Sequence, residues 1–301
     1  ISNTISVLNT ATLAVANEVP VGSFDPTPAA IRNGRGFLYD AKLSGNGLQA
    51  CSACHLDADI DLIAWDLADP GGQVATVPDL TGLFGSFQMH PMKGPMTTQS
   101  LKGLTPDEEP LHWRGDRGDF LAFNPAFASL MGGSQHATAD MIAYRDFIET
   151  ISYEPNPNQN LDRTVPPSLP GVTGNPQTGQ STFFNNFYQP LLQCNTCHIA
   201  STGGQSNAII PAAALQQSQA FNVPQFRNNY QKTRLNKTAG AQSRSGYGFL
   251  HDGSRATVFE LLTSPVFGNV TNDAVKKNNL SAYLLCFDTG MAPAVGYSRT
   301  V

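Results

Sequence analysis

The chain has 301 residues, a net charge of −5 and only 14% charged residues, against about 25% in ordinary soluble proteins. A net negative charge gives no general attraction for nucleic acid or for an anionic membrane surface. The length suits two ordinary domains, and no run of 18 apolar residues is present to cross a bilayer.

Residues 1–28 read as an N-terminal extension. Asn3-Thr4-Ile5-Ser6-Val7-Leu8-Asn9-Thr10 alternates apolar and polar positions and ends in a polar turn. Leu13-Ala14-Val15 and Val19-Pro20-Val21 follow, a strand–turn–strand pattern. The phrase resembles one blade edge of the short-repeat bacterial β-propellers. A propeller needs several repeats and one is present. The segment is therefore either a surface hairpin or, as we expect, the end of a propeller in a longer precursor or larger assembly. The first residue is Ile and no signal peptide is seen, which fits a processed or trimmed product.

Residues 29–152 read as a first domain. With 27 glycines and 21 prolines in the chain, short helices and long loops are expected. Ala29–Leu43 predicts a helix with Ile31, Phe37 and Leu38 on one side. Ser44-Gly45-Asn46-Gly47 then leads to Cys51-Ser52-Ala53-Cys54-His55. C-x-x-C-H is the attachment signature of c-type haem. Two thiols three residues apart form thioethers to the two vinyl groups of one haem, and the next histidine reaches the iron. A zinc knuckle, a redox pair or a disulfide would also use C-x-x-C, but none needs the histidine directly after it. Asp57, Asp59, Asp61 and Asp66 follow. They read as a solvated acidic loop, with calcium as the other possibility. A helix over Ala139–Ile151 carries Met141, Tyr144, Ile148 and Ile151 at helical spacing.

The Pro/Asn-rich stretch 153–172 reads as a linker, and residues 173–301 repeat the scheme. A helix over Gln180–Leu192 carries Phe183, Phe184 and Phe187. The second motif is Cys194-Asn195-Thr196-Cys197-His198. Pro224–Arg227 parallels Gln99–Lys102, Phe249–Arg255 parallels His112–Arg117, and a helix over Asp273–Cys286 parallels Ala139–Ile151. The motif histidines stand 143 residues apart. The predicted fold is mainly α: two cytochrome c-like haem domains related by internal duplication, with a short N-terminal β-hairpin. Two covalently bound haem c groups are expected. The fifth cysteine, Cys286, reads as a small buried hydrophobe. Haem is attached to such motifs outside the cytoplasm, so a periplasmic or extracellular location is expected.

His55 and His198 are proximal ligands by motif. For the far side of the first iron the candidates are His90, on the Pro-flanked loop Met89-His90-Pro91, then Met92 or Met96, then an open site. His112 reads as a structural or propionate-contacting residue, and His136 as a loop histidine. For the second iron the candidates are Met291 in Gly290-Met291-Ala292-Pro293, His251, or an open site. Met291 could equally be a core residue capping the last helix.

Residues 30–296 resemble the di-haem cytochrome c peroxidase family, which includes the MauG-like enzymes. His90-Pro91-Met92-Lys93-Gly94-Pro95 is similar to the family's H-G-W-x-K-G-P, which implies His90 as distal ligand of the first haem. His112-Trp113-Arg114-Gly115-Asp116-Arg117 is similar to F-W-D-G-R, which implies Trp113 as an electron relay between the haems. Phe249-Leu250-His251-Asp252-Gly253 is similar to Y-F-H-S/D-G, which implies His251 beside the edge of the second haem. The family's second-domain methionine ligand has no counterpart in residues 262–270, which hold neither Met nor His. Gln99 is the candidate catalytic amide by residue type only. Two functions follow. One is an electron-transfer cytochrome serving a small redox protein or another cytochrome. The other is a di-haem peroxidase, or a related haem oxygenase, which needs a releasable iron position and an acid or base beside it.

Overall fold

The computed structural model describes residues 4–24, 26–82, 84–189, 192–242 and 247–292. The strands are β1 (Thr4–Leu8), β2 (Val15–Pro20), β3 (Ala64–Trp65), β4 (Ala75–Pro78), β5 (Ser86–Met89), β6 (Met96–Thr97), β7 (Phe187–Gln189), β8 (Leu192–Gln193), β9 (Ile209–Ile210) and β10 (Phe221–Asn222). The helices are α1 (Ala29–Tyr39), α2 (Asn124–Ser129), α3 (Thr138–Ile148), α4 (Pro176–Asn185), α5 (Cys194–Cys197), α6 (Ala212–Leu215), α7 (Val258–Leu261) and α8 (Ala274–Leu285). The fold is thus a mix of helix and strand rather than mainly α. Beyond the N-terminal hairpin, the pairs β3–β6, β4–β5, β7–β8 and β9–β10 fasten the loops. Strands of two to four residues are too short to show alternation in the sequence.

The chain divides into two compact units. The first comprises residues 1–51 and 124–150, the second residues 52–123 and 151–301.

In the first unit, β1 and β2 form the expected antiparallel hairpin, with Ile5 opposite Val19 and Ser6 opposite Glu18. The Asn9 side chain closes its turn by accepting from the Ala11 and Thr12 amides at 2.9 and 3.2 Å. Helix α1 is shorter than expected. The Asp40 carboxylate caps a new 3-10 turn by accepting from the Lys42 amide, so the helix breaks there. Helices α1 and α3 cross at Gly34, where an added Cβ would fall 2.0 Å from the Ala143 carbonyl oxygen and 2.4 Å from Phe147 Cβ. Leu38, Phe127, Met141, Tyr144, Phe147 and Ile148 are buried around this crossing.

In the second unit, α4 and α8 cross in the same manner. A Cβ on Gly179 would fall 1.9 Å from the Asn279 carbonyl oxygen and 2.8 Å from Tyr283 Cβ. The expected helix Gln180–Leu192 instead begins at Pro176, behind an Asn175 cap that accepts from the Thr178 amide at 2.8 Å. It ends at Asn185, and residues 190–191 lie outside the described residues. Asp273 caps α8 through the Lys276 amide at 2.9 Å. Phe183, Phe249, Val258, Leu262, Val270, Leu280, Tyr283, Leu284 and Phe287 form the core here. Cys286 is fully buried at the end of α8. Residues 153–172 are mostly exposed but tied down at Asn156, whose buried side-chain amide donates to the Leu285 and Phe287 carbonyls, both at 2.9 Å.

Two turns of this unit share one shape. Bridges Leu111–Arg117 and Phe249–Arg255 each enclose five residues. His112 and Leu250 both hold positive φ, at 73° and 65°, and Gly115 and Gly253 hold 62° and 70°. Trp113 and His251 therefore occupy equivalent places in the two turns.

Candidate haem attachment sites

Helix α5 is a single turn, so Cys194 and Cys197 share one face. Gln193 and Thr196 cap it reciprocally, with the Gln193 amide donating to Thr196 Oγ1 at 3.0 Å. The His198 ring donates from Nδ1 to the Gly204 carbonyl at 2.8 Å and stacks on Phe226 at 4.2 Å and 27°. A carbonyl can only accept, so Nδ1 carries the proton and Nε2 keeps its lone pair for a metal. Burial pushes the Cys194 thiol up to about 11 and holds the His198 ring down, at about 4. The ring therefore stays neutral, the form that binds iron.

The first motif repeats this chemistry. Residues Cys51–Ala53 form a 3-10 turn. In the first unit, Cys51 Sγ lies 3.8 Å from Met131 Sδ, and burial raises its thiol. In the second unit, His55 donates from Nδ1 to the Gln99 carbonyl at 2.9 Å, and burial lowers its ring. The Leu101 amide then ties the same loop to the Ala58 carbonyl at 2.8 Å. None of the five cysteines is in a disulfide. Paired cysteines outside any disulfide, each pair followed by a histidine whose Nδ1 donates to a backbone carbonyl and leaves Nε2 for a metal, fit a haem c at both motifs. The two cysteines of each motif would hold it, and His55 and His198 would ligate its iron.

The other candidates differ in their surroundings. His90 is exposed at the end of β5. Its Nδ1 accepts from the Met92 amide at 3.1 Å, which leaves the proton on Nε2. Its carbonyl is pinned by Arg114 at 2.7 Å. Met92 is 50% exposed, and Met96 is half-buried on β6. His251 is buried and stacks on Phe221 at 4.4 Å and 20°. It donates from Nδ1 to the Pro95 carbonyl at 2.8 Å, so it presents Nε2 as the motif histidines do. Met291 is exposed just beyond α8, so it does not cap the helix from the core. His112 donates to Asp116 at 2.8 Å; Arg114 also pairs with this carboxylate, which is held far below its usual range despite its burial. His136 sits edge-on to Phe127 at 4.4 Å.

Trp113 is half-buried and donates from Nε1 to the Thr97 carbonyl at 2.8 Å. The Thr97 amide donates to the His251 carbonyl at 2.5 Å. The equivalent residues of the two turns thus grip one segment, residues 95–97. Gln99 supplies its backbone carbonyl to His55 Nδ1. The acidic run serves local structure. Asp59 pairs with Lys102 at 2.8 Å, and Asp61 accepts from Trp65 Nε1 at 2.6 Å and from the Ile63 amide at 3.0 Å. Asp66 accepts from the Ala68 amide at 3.2 Å. Among the described residues no group of three or more His, Cys, Asp or Glu gathers to hold a metal ion, so the calcium expectation finds no ligand set. Sequence reasoning missed Met131 beside Cys51, since only the turn after α2 brings them together.

Among the described residues no helix is long and apolar enough to cross a membrane. No family model matches the sequence, and no curated protein matches it. Among solved structures, the chain is similar to a MauG-like protein associated with microbial copper homeostasis, at 17% identity and a TM-score of 0.48, over 89% of this chain and 91% of that one. It is similar also to a chain of Kuenenia stuttgartiensis hydrazine synthase pressurised with xenon, at 14% identity over 94% of this chain and 98% of that one. At a TM-score of 0.59, that second likeness is one of fold.

Proposed function

We propose that this protein is a di-haem c-type cytochrome that carries electrons between redox partners outside the cytoplasm. The observation that carries the reading is the matched pair of histidines, His55 and His198, each donating its Nδ1 proton to a backbone carbonyl and keeping Nε2 for a metal, after two cysteines outside any disulfide. When bound, each haem supplies a one-electron carrier. The two cysteines of each motif would anchor it by thioethers, and the histidine of the motif would offer its Nε2 to the iron. The glycine-locked pairs α1–α3 and α4–α8 and the twin turns support an internal duplication, with haem domains at 29–152 and 173–301. Denatured holoprotein should carry two haems by mass, and Cys194→Ala/Cys197→Ala should carry one. A wild-type mass with a single haem would remove one motif from the reading.

For the far-side ligands, His90 is proposed for the first iron, where its ring must turn from the Met92 amide to present Nε2. His251 is proposed over Met291 for the second, because it is buried with Nε2 presented. His90→Ala should turn one haem high-spin and leave the other unchanged. His251→Ala should perturb the second haem, whereas Met291→Ala should leave both spectra intact. The reverse pattern would reassign the ligands.

Trp113 is proposed as a relay. Trp113→Phe loses the bond to Thr97 and about 1 kcal/mol of stability. It should slow electron transfer between the haems without altering either spectrum. Reduced protein should exchange electrons rapidly with a small redox protein, and peroxide should oxidise it slowly without saturation. Saturable turnover with peroxide in stopped-flow mixing would instead favour the peroxidase reading.

A further inference from the structure

We propose that Lys232 is the buried counter-cation for a propionate carboxylate of the haem carried by Cys194, Cys197 and His198. The proposal rests on the reading that the second motif holds a haem.

Lys232 is only 8% exposed, and no carboxylate among the described residues pairs with it. Its ammonium group has an aromatic contact alone, 5.7 Å from the centre of the Tyr247 ring. Three other buried or part-buried cations are matched by carboxylates. Lys102 meets Asp59 and Glu154, Arg114 meets Asp116, and Arg227 meets Glu108. Lys277 has the closer aromatic partner, 4.6 Å over the Phe259 ring. An ammonium taken out of water without a counter-charge is costly, and burial indeed lowers the Lys232 amine to about 8. A carboxylate brought by the cofactor would offset that cost.

The placement is specific. The His198 ring stacks on Phe226. From Phe226 the backbone advances in two successive turns to Lys232: the Asn229 amide donates to the Phe226 carbonyl at 3.0 Å, and the Lys232 amide to the Asn229 carbonyl at 3.2 Å. The Lys232 carbonyl accepts from the Gly248 amide at 3.1 Å, beside the turn that bears His251. The wall around it is polar and buried. Asn228 donates to the Tyr247 hydroxyl at 3.0 Å, and Gln231 Oε1 has no partner among the described residues. A lysine chain rooted two turns from the ring on the proximal histidine suits the carboxylate edge of a haem held by that histidine.

The test uses holoprotein, with the midpoint potentials of the two haems resolved by spectroelectrochemistry. Lys232→Met removes the positive charge, which favours the ferric state. The reduction equilibrium of the second haem should fall about tenfold, or about 59 mV for one electron, while the first haem stays within twofold. Lys232→Arg should restore the potential to within threefold. The propionate bending band in resonance Raman should move in the Met variant and return in the Arg variant. Lys232→Gln gives the same readouts if the Met variant does not accumulate. An unchanged potential and band in the neutral variants would overturn the proposal. So would a wild-type potential that varies with added phosphate at constant ionic strength, which would mark the site as one for free anions. A denatured mass with one haem would instead sink the underlying haem reading, and the two failures are thereby distinguished.

Discussion

Glu108→Gln should destabilise the protein by about 3–5 kcal/mol, a loss of about 10 °C in melting temperature at two to four degrees per kcal/mol. Glu108 is 1% exposed and pairs with Arg227. Burial lowers the Arg227 guanidinium, so removing the carboxylate strands a charge that already lacks water. Arg227→Met should cost at least as much, because Glu108 is the more deeply buried partner. Breaking one side of a buried pair leaves its full desolvation cost uncompensated, whereas replacing both sides does not. Glu108→Gln/Arg227→Met should therefore recover most of the loss. The effect should also reach the second motif. Arg227 packs under Gly203, where a Cβ would meet Cζ at 2.6 Å. The next residue, Gly204, supplies the carbonyl that orients His198. Calorimetry of the four proteins decides it: single-variant losses below 1 kcal/mol, or strictly additive ones, would contradict this account.

Much of the site was legible because its chemistry is local. Cys51–His55 and Cys194–His198 announce themselves within five residues, and each motif histidine is held through backbone carbonyls that any sequence would supply. The helices near 29, 139 and 273 were readable from their apolar spacing. The start of α4 was readable too, since Asn175-Pro176 is a cap followed by proline at the first helical position. The apolar run at Phe183 drew the boundary later. What was not legible depends on distant pairing. The ring tautomers of His90 and His251 are set by Met92 and by Pro95, the latter 156 residues away. That Lys232 meets an aromatic ring and no carboxylate among the described residues is visible only in three dimensions. Strand pairs such as β3–β6 join residues some thirty positions apart, and two-residue ladders leave no periodic trace.

Gly34→Ala and Gly36→Ala should change stability in opposite directions, although both lie inside α1 two residues apart. Alanine is the better helix former by about 1 kcal/mol. At Gly36 an added Cβ meets nothing within 4 Å, so that preference should appear as a gain of about 0.5–1 kcal/mol. At Gly34 the same methyl would lie 2.0 Å from the Ala143 carbonyl oxygen and 2.4 Å from Phe147 Cβ. No rotamer relieves a clash with backbone, so α1 and α3 must separate over a core that includes Leu38, Tyr144 and Ile148. Overpacking typically costs about 1–3 kcal/mol. With backbone as the obstacle, a loss of about 3 kcal/mol is expected at Gly34. Gly179→Ala in α4 should behave alike, since its Cβ would fall 1.9 Å from the Asn279 carbonyl oxygen. The two losses carry different consequences. Gly34→Ala loosens the unit that contains Cys51, and Gly179→Ala the core that packs against Cys194. Each should lower haem loading at its own motif first. Denaturant midpoints together with haem-to-protein ratios measure this, and a stabilised Gly34→Ala or Gly179→Ala would show that the crossing does not need glycine.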